Sequence, residues 1–239
     1  MITHIPVYAH RGASGYAVEN TLEAFEKARK QKADGIELDV QLSADGVLFV
    51  FHDVSLQRLT GVRKSIHECK AEDIKGFRLG RRFFRRFTGK RIPTLEEVLN
   101  WAIEYNMPLN LEIKETLLDD VMPFIQLLKR YRLPAGSHVS SFHQQLLHTV
   151  KLYAPHIETA IIVTRKFEWD HLQQLNYIDA VHAHKRYYKE RFLKVCEAAR
   201  KPMRFYSIDG SERFLSSPDP IVVGWITDYP DRIVKIQNR

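Results

Sequence analysis

Two rhythms of apolar residues alternate along the chain. Short runs rich in β-branched and aromatic residues, at 7–10, 35–42, 108–113, 138–142, 158–163, 180–183, 203–208 and 222–227, read as strands. Between most of them apolar positions recur at helical spacing: Leu22, Phe25 and Ala28; Leu95, Val98, Leu99 and Ala102; Val121, Phe124, Ile125 and Leu128; Leu146, Leu147 and Val150; Phe192, Val195 and Ala199. A short helical turn falls at 169–175. Start signals mark the helices: Asn20 with Glu23 three residues on, Thr94-Leu95-Glu96-Glu97 as a capping box, and Asp228 followed by Pro230 ahead of a terminal helix. Eight strands separated by helices within 239 residues predict an α/β chain folded as one closed (β/α)₈ barrel, a TIM barrel spanning 1–239. An open doubly wound sheet fits less well, because no Gly-rich dinucleotide loop follows the first strand. No internal repeat or low-complexity tract is present.

The second strand runs through Ser43-Ala44-Asp45-Gly46 into a returning arm at 47–52, a hairpin that leaves the count of barrel strands at eight. Strand side chains alternate faces, so Glu37 and Asp39 point the same way. Folding about Ala44-Asp45 sets Phe51 opposite Asp39 and His52 beside Leu38. Two like charges on one face of a buried strand need a counter-ion, since each unpaired carboxylate costs several kcal/mol or takes up a proton. A bound metal ion resolves this. Residues 53–93 keep weaker periodicity and read as a small insertion over the barrel mouth.

In a (β/α)₈ barrel the reactive groups sit at the C-terminal ends of the strands. Those ends carry His10-Arg11, Glu37 and Asp39, and Glu112-x-Lys114, with His52 added by the hairpin arm. Three carboxylates without a cysteine partner favour one hard divalent cation, Mg²⁺ or Ca²⁺, over zinc. Arg11 and Lys114 add positive charge beside it, which suits an anionic substrate, above all a phosphate ester. One histidine can deprotonate the nucleophile while the other protonates the leaving alkoxide, and residue order does not say which does which.

Taken together, His10-Arg11-Gly12, Glu19-Asn20-Thr21, Glu37-x-Asp39, His52-Asp53, Glu112-x-Lys114 and the closing Ile226-Thr227-Asp228-Tyr229-Pro230-Asp231 resemble the bacterial glycerophosphodiester phosphodiesterase family, from about Val7 onward. The resemblance implies a TIM barrel of the phospholipase-C-like phosphodiesterase type. It implies Glu37, Asp39 and Glu112 as metal ligands, His10 and His52 as the acid/base pair, and Arg11 and Lys114 on the phosphate. The implied reaction cleaves glycerophosphocholine, glycerophosphoethanolamine or a relative to an alcohol and sn-glycerol 3-phosphate, through a cyclic phosphate or by direct attack of water. The chain departs from the family pattern at Val18, where proline is usual, at Tyr206, where tryptophan is common, and at His182 and His184. The last three fall at the mouth, where the resemblance places the head group. Two rival readings stand beside it: a phospholipase-type enzyme that takes intact lipid and stops at a cyclic phosphate, and a non-catalytic binder of an anionic ligand or nucleic acid.

Charge and composition add a local feature. The net charge of +7 arises in one stretch holding Arg78, Arg81, Arg82, Arg85, Arg86, Lys90 and Arg91; taking those seven from the 36 Lys and Arg leaves 29, against 29 acids. Phe83, Phe84 and Phe87 interleave with them. The stretch reads as a solvated face or as weak attraction of 78–91 to anionic substrates or a membrane surface. Nucleic acid is not expected, given a neutral remainder and a carboxylate-lined pocket. No run of about 18 apolar residues appears, and the first six residues lack a signal-peptide pattern. Cys69 and Cys196, far apart, read as free thiols in a reducing cytoplasm. His138, His143 and His148 read as helix-end or solvent residues.

Overall fold

The strand-like runs close into a ring. In the computed structural model, which describes residues 4–80 and 89–238, the strands are β1 (Val7–His10), β2 (Gly35–Leu42), β4 (Leu109–Ile113), β5 (His138–Ser141), β6 (Glu158–Ile162), β7 (Ala180–His184), β8 (Met203–Ile208) and β9 (Val222–Thr227). Each pairs in parallel with its neighbours, and β1 joins both β2 and β9, so the expected barrel forms. The hairpin arm β3 (Leu48–Val50) lies antiparallel on β2, with Val40 opposite Val50 and Leu42 opposite Leu48. The Phe51 N–H donates to the Asp39 carbonyl at 2.9 Å, which is the predicted register.

Around the barrel run α1 (Leu22–Lys30), α4 (Leu95–Glu104), α5 (Met122–Arg130), α6 (Gln144–Tyr153), α7 (Glu190–Ala198) and α8 (Pro230–Gln237). Single 3₁₀ turns at Trp169–Gln174 and Arg213–Ser216 serve as the other crossovers. Thr94 and Glu97 make the reciprocal capping box at the start of α4. Two expected caps differ. Thr21, not Asn20, caps α1, its Oγ1 accepting from the Ala24 N–H at 3.1 Å. Tyr229 holds the cap position of α8, and Asp228 turns into the barrel mouth. In both places a polar side chain two residues ahead of the helix finds a charged or ionisable partner in the barrel, which outweighs a cap.

Residues 53–80 and 89–93 contribute two short helices, α2 (Gln57–Thr60) and α3 (Ala71–Gly76). They form a small core of their own with the hairpin arm, in which Leu56, Ile66, Cys69, Ile74 and Leu79 pack on Phe49 and Phe51. Arg81, Arg82, Phe83, Phe84, Arg85, Arg86 and Phe87 lie outside the described residues. Two of the basic residues beside them meet acids: Lys90 pairs with Glu23 at 2.9 Å and Arg91 lies 3.7 Å from Glu97. Both cysteines are free and buried, and among the described residues no helix is long and apolar enough to cross a membrane.

The lower barrel interior is polar. Tyr8 donates to the Gly136 carbonyl at 2.8 Å, its ring meets the edge of His138, and His138 meets His182, with centroids 5.2 Å apart in each pair. Arg204 donates to Glu158 at 2.5 Å. Bare Gly224 leaves room for the arginine stem, since a Cβ there would lie 3.0 Å from Arg204 Cγ. His138 is therefore a buried barrel residue, not a helix-end or solvent one: it is the first residue of a strand whose alternate positions face inward. Burial, helped by Arg204, holds the His138 imidazole well below its usual range; burial, His138 and Arg204 do the same to His182. The unfolded chain takes up these protons near pH 6.5 while the folded barrel refuses them, so stability falls as pH drops below about 6.5, by up to about 1.4 kcal/mol per pH unit for each histidine. Denaturant midpoints between pH 7 and 5.5 should show this slope, and His138→Gln should flatten it.

Candidate active site

Glu37 and Asp39 project inward from β2 and Glu112 from β4, where Asp39 and Glu112 are register partners. Each of the three offers a carboxylate oxygen within 4.8 Å of the others, and all are buried or nearly so. Burial works against the charge of each. For Asp39, Lys114 and then Arg11 outweigh it and hold the carboxyl well below its usual range. Glu37 has less help: burial and then the Asp39 charge push it up. Glu112 is raised by the same two causes against the pull of Lys114. Lys114 Nζ lies 2.8 Å from Asp39 Oδ1 and also donates to Glu112. Among the described residues, Glu37 Oε1 and Asp39 Oδ1 are buried without a hydrogen-bond partner, although the Lys114 ammonium stands beside the second. An all-oxygen donor set with buried carboxylate oxygens left unbonded fits a hard divalent cation.

Arg11 reaches the cluster through an unusual backbone. It sits in the left-handed region at φ 55°, followed by Gly12 at φ 80°, where a Cβ would lie 2.7 Å from the Ala24 backbone. The turn lets its N–H donate to Glu37 Oε2 at 2.8 Å while the guanidinium lies 3.3 Å from Asp39 and donates to Glu19 at 2.9 Å. Asn20, also left-handed at φ 57°, donates to Asp39 Oδ2 at 2.7 Å.

Two histidine–aspartate pairs flank the carboxylates. His10 Nδ1 donates to Asp228 Oδ1 at 2.6 Å, and Ser14 donates to the same oxygen at 2.7 Å. His52 Nδ1 donates to Asp53 Oδ1 at 2.7 Å. In each pair the aspartate fixes the tautomer and leaves Nε2 for a substrate. Burial disfavours the charged form of His10, but Glu37 and Asp228 prevail and raise its pKa. Behind the second pair stands Arg58 of α2. It forks onto Asp53 at 2.6 and 3.2 Å and onto Glu19 at 2.8 and 2.7 Å, so it ties the partner of His52 to the partner of Arg11. Arg58→Ala should lower kcat about tenfold, the usual scale for losing an outer orienting partner, with little change in Tm because Arg58 is half-exposed. Arg58→Lys should restore only part of the rate, since an ammonium cannot make two forks.

A cavity of about 120 Å³ opens among these groups. His10, Arg11, Glu37, His52, Glu112 and Lys114 form one side, and Phe142, Ile162, His182, Tyr206 and Ile226 the other. Of the three residues expected near the head group, His182 and Tyr206 line it. His184 instead accepts from the Arg186 N–H at 3.0 Å and presents its ring to the edge of Tyr206.

A profile of the Glycerophosphoryl diester phosphodiesterase family matches residues 10–232. The chain belongs to that family. The glycerophosphodiester phosphodiesterase of Bacillus altitudinis is 30% identical to it, over 97% of this chain and 98% of the relative. That of Caldanaerobacter subterraneus subsp. tengcongensis is 38% identical over 65% of each. The structure of an Oleispira antarctica phosphodiesterase in complex with the product sn-glycerol-3-phosphate is similar with a TM-score of 0.86 and 28% identity, covering 98% of this chain and 97% of that one. This chain is thus a glycerophosphodiester phosphodiesterase, a phosphoric diester hydrolase on a (β/α)₈ barrel.

In this phosphodiesterase the sequence-predicted residues His10, Arg11, Glu37, Asp39, His52, Glu112 and Lys114 converge at one mouth. Sequence reasoning passed over Asn20, Asp228, Asp53, Glu19 and Arg58 as site residues. The first four sit inside the quoted motifs but look like caps and turn residues. Arg58 carries no signal beyond lying six residues after His52, on the side of a short helix.

Proposed function

We propose that the enzyme hydrolyses glycerophosphodiesters such as glycerophosphocholine and glycerophosphoethanolamine to an alcohol and sn-glycerol 3-phosphate, with one divalent cation, Mg²⁺ or Ca²⁺. The observation that carries this reading is the convergence of three carboxylates between two histidine–aspartate pairs in one cavity. The bound product of the Oleispira antarctica relative supports the same substrate class.

Glu37, Asp39 and Glu112 would hold the cation, which supplies charge neutralisation for a phosphate oxygen when bound. Arg11 and Lys114 add the positive charge that draws the phosphate in and oppose its growing charge in the transition state. Of His10 and His52, one takes the proton of the attacking oxygen, of water directly or of the glycerol hydroxyl beside the phosphate, and the other returns a proton to the departing alkoxide; by the second route water then opens the cyclic phosphate to glycerol 3-phosphate. Asp228 and Asp53 keep each ring aimed and stabilise it while protonated. Tyr206 and His182 touch an alcohol portion of the substrate on the opposite wall.

The test is direct. Purified protein incubated with glycerophosphocholine should release glycerol 3-phosphate in a dehydrogenase-coupled assay. A chelator should abolish turnover and added Mg²⁺, Ca²⁺ or Mn²⁺ should restore it. No turnover across a panel of glycerophosphodiesters with all three ions supplied rules the reading out.

A further inference from the structure

The site has a second arm. Past His52, Lys114 and Phe142, which border both spaces, an open cleft of about 370 Å³ runs outward between Asp53 and Val54 on one side and Glu115 and His143 on the other. The first arm, about 120 Å³, runs down the barrel axis and reaches Asn110 and His182, each 1% exposed. A phosphodiester carries two alcohols on one phosphate, and the two arms part at the residues assigned to that phosphate.

We propose that the axial arm takes the glycerol and the outer cleft takes the head group, with preference for a cationic amino alcohol. The proposal rests on the phosphodiesterase reading above and adds the place and chemistry of the head group. Size assigns the arms: glycerol is small and constant, so the space of about 120 Å³ suits it, whereas head groups vary and need the roomier cleft of about 370 Å³. Charge assigns the chemistry. Phe142 follows buried Ser141 at the end of β5, yet it is 43% exposed and borders the cleft as well as the axial arm. Glu115 is exposed beside it and makes no side-chain hydrogen bond or ion pair among the described residues, whereas neighbouring Asp53 is held by His52 and Arg58. An aromatic face and an unpaired carboxylate on one cleft attract an ammonium or trimethylammonium group. The carboxylates of the axial arm, Glu37 and Glu112, are those assigned to the divalent cation, and deeper in it lies His182, in register with Arg204. Tyr206 and His182 then face the glycerol, and His184 borders neither space.

The experiment compares kcat/KM for glycerophosphocholine, glycerophosphoethanolamine and glycerophosphoglycerol in the parent enzyme, Glu115→Gln and Phe142→Leu. The parent should favour the two cationic head groups, and each variant should cut that preference about two- to five-fold, the scale of one exposed ion pair or cation–π contact, through KM. A preference unchanged in both variants, or a parent that favours the neutral glycerol head, overturns the proposal. Calorimetric titration with choline alone needs no turnover and separates the two claims. Choline binding weakened by Glu115→Gln upholds the subsite even where catalysis fails, and no choline binding by the parent removes it even where glycerophosphodiesters are cleaved.

Discussion

His52→Ala should lower kcat on glycerophosphocholine by about 10³-fold while divalent-cation affinity, read by calorimetry, stays within about threefold. The rate loss follows from position. His52 borders both arms of the site, its Nδ1 is anchored on Asp53 at 2.7 Å, and a positioned acid or base contributes about 10²–10⁴ to such a reaction. The unchanged cation affinity follows from the donor set: Glu37, Asp39 and Glu112 stand on β2 and β4 and make no hydrogen bond to His52. Asp53→Asn should show the same pattern in weaker form, because the ring keeps its place but loses the charge that stabilises its protonated state. A His52→Ala enzyme within tenfold of the parent would remove His52 from the chemistry and leave His10 with both proton transfers.

Why so much of the site was legible in the sequence, and where it was not, comes down to backbone geometry. Strand alternation makes Glu37 and Asp39 neighbours on one face whatever the tertiary context, and the turn at 43–46 then dictates that Phe51 meets Asp39. Barrel closure does the rest by carrying the ends of β1, β2 and β4 to one mouth. The supporting residues obey no such period. Asn20 and Asp228 each stand just outside a helix start, where a short polar side chain normally caps; only three-dimensional closure shows that Asp39 and His10 are nearer and more strongly charged partners. Arg58 bridges Glu19 and Asp53 across 39 and 5 residues of sequence, a link that no local pattern encodes. Lys90 likewise finds its acid in α1 rather than beside itself. His138 was misread as a surface residue since polar interiors are uncommon, yet Tyr8, His138, His182 and Arg204 build one here.

Asp39→Ala and Glu37→Gln should both abolish cation binding and turnover, yet move the stability of the cation-free protein in opposite directions. Asp39 is fully buried, pairs with Lys114 at 2.8 Å and Arg11 at 3.3 Å, and accepts from Asn20 at 2.7 Å. Deleting it leaves the buried Lys114 and the largely buried Arg11 short of a counter-charge, a loss of about 3 kcal/mol, or about 6–12 °C in Tm for a chain of this size. Glu37 is the reverse case. No side-chain cation donates a hydrogen bond to it, and burial and Asp39 raise its pKa, so its ionised form is a burden on the folded state. The sign follows: a carboxyl with a raised folded pKa supports folding most at low pH, and that support drains away as pH rises through the folded pKa. Glutamine carries no charge to lose and still accepts the Arg11 N–H through its amide oxygen. Glu37→Gln should therefore be at least as stable as the parent at pH 7 without cation, with an advantage that widens toward alkaline pH. Saturating Mg²⁺ or Ca²⁺ should reverse the order, since only the parent gains the linked binding energy. Thermal melts of the three proteins with and without chelator decide the matter. A Glu37→Gln protein that melts well below the parent in chelator would mean that Glu37 is held for the fold and not for a cation.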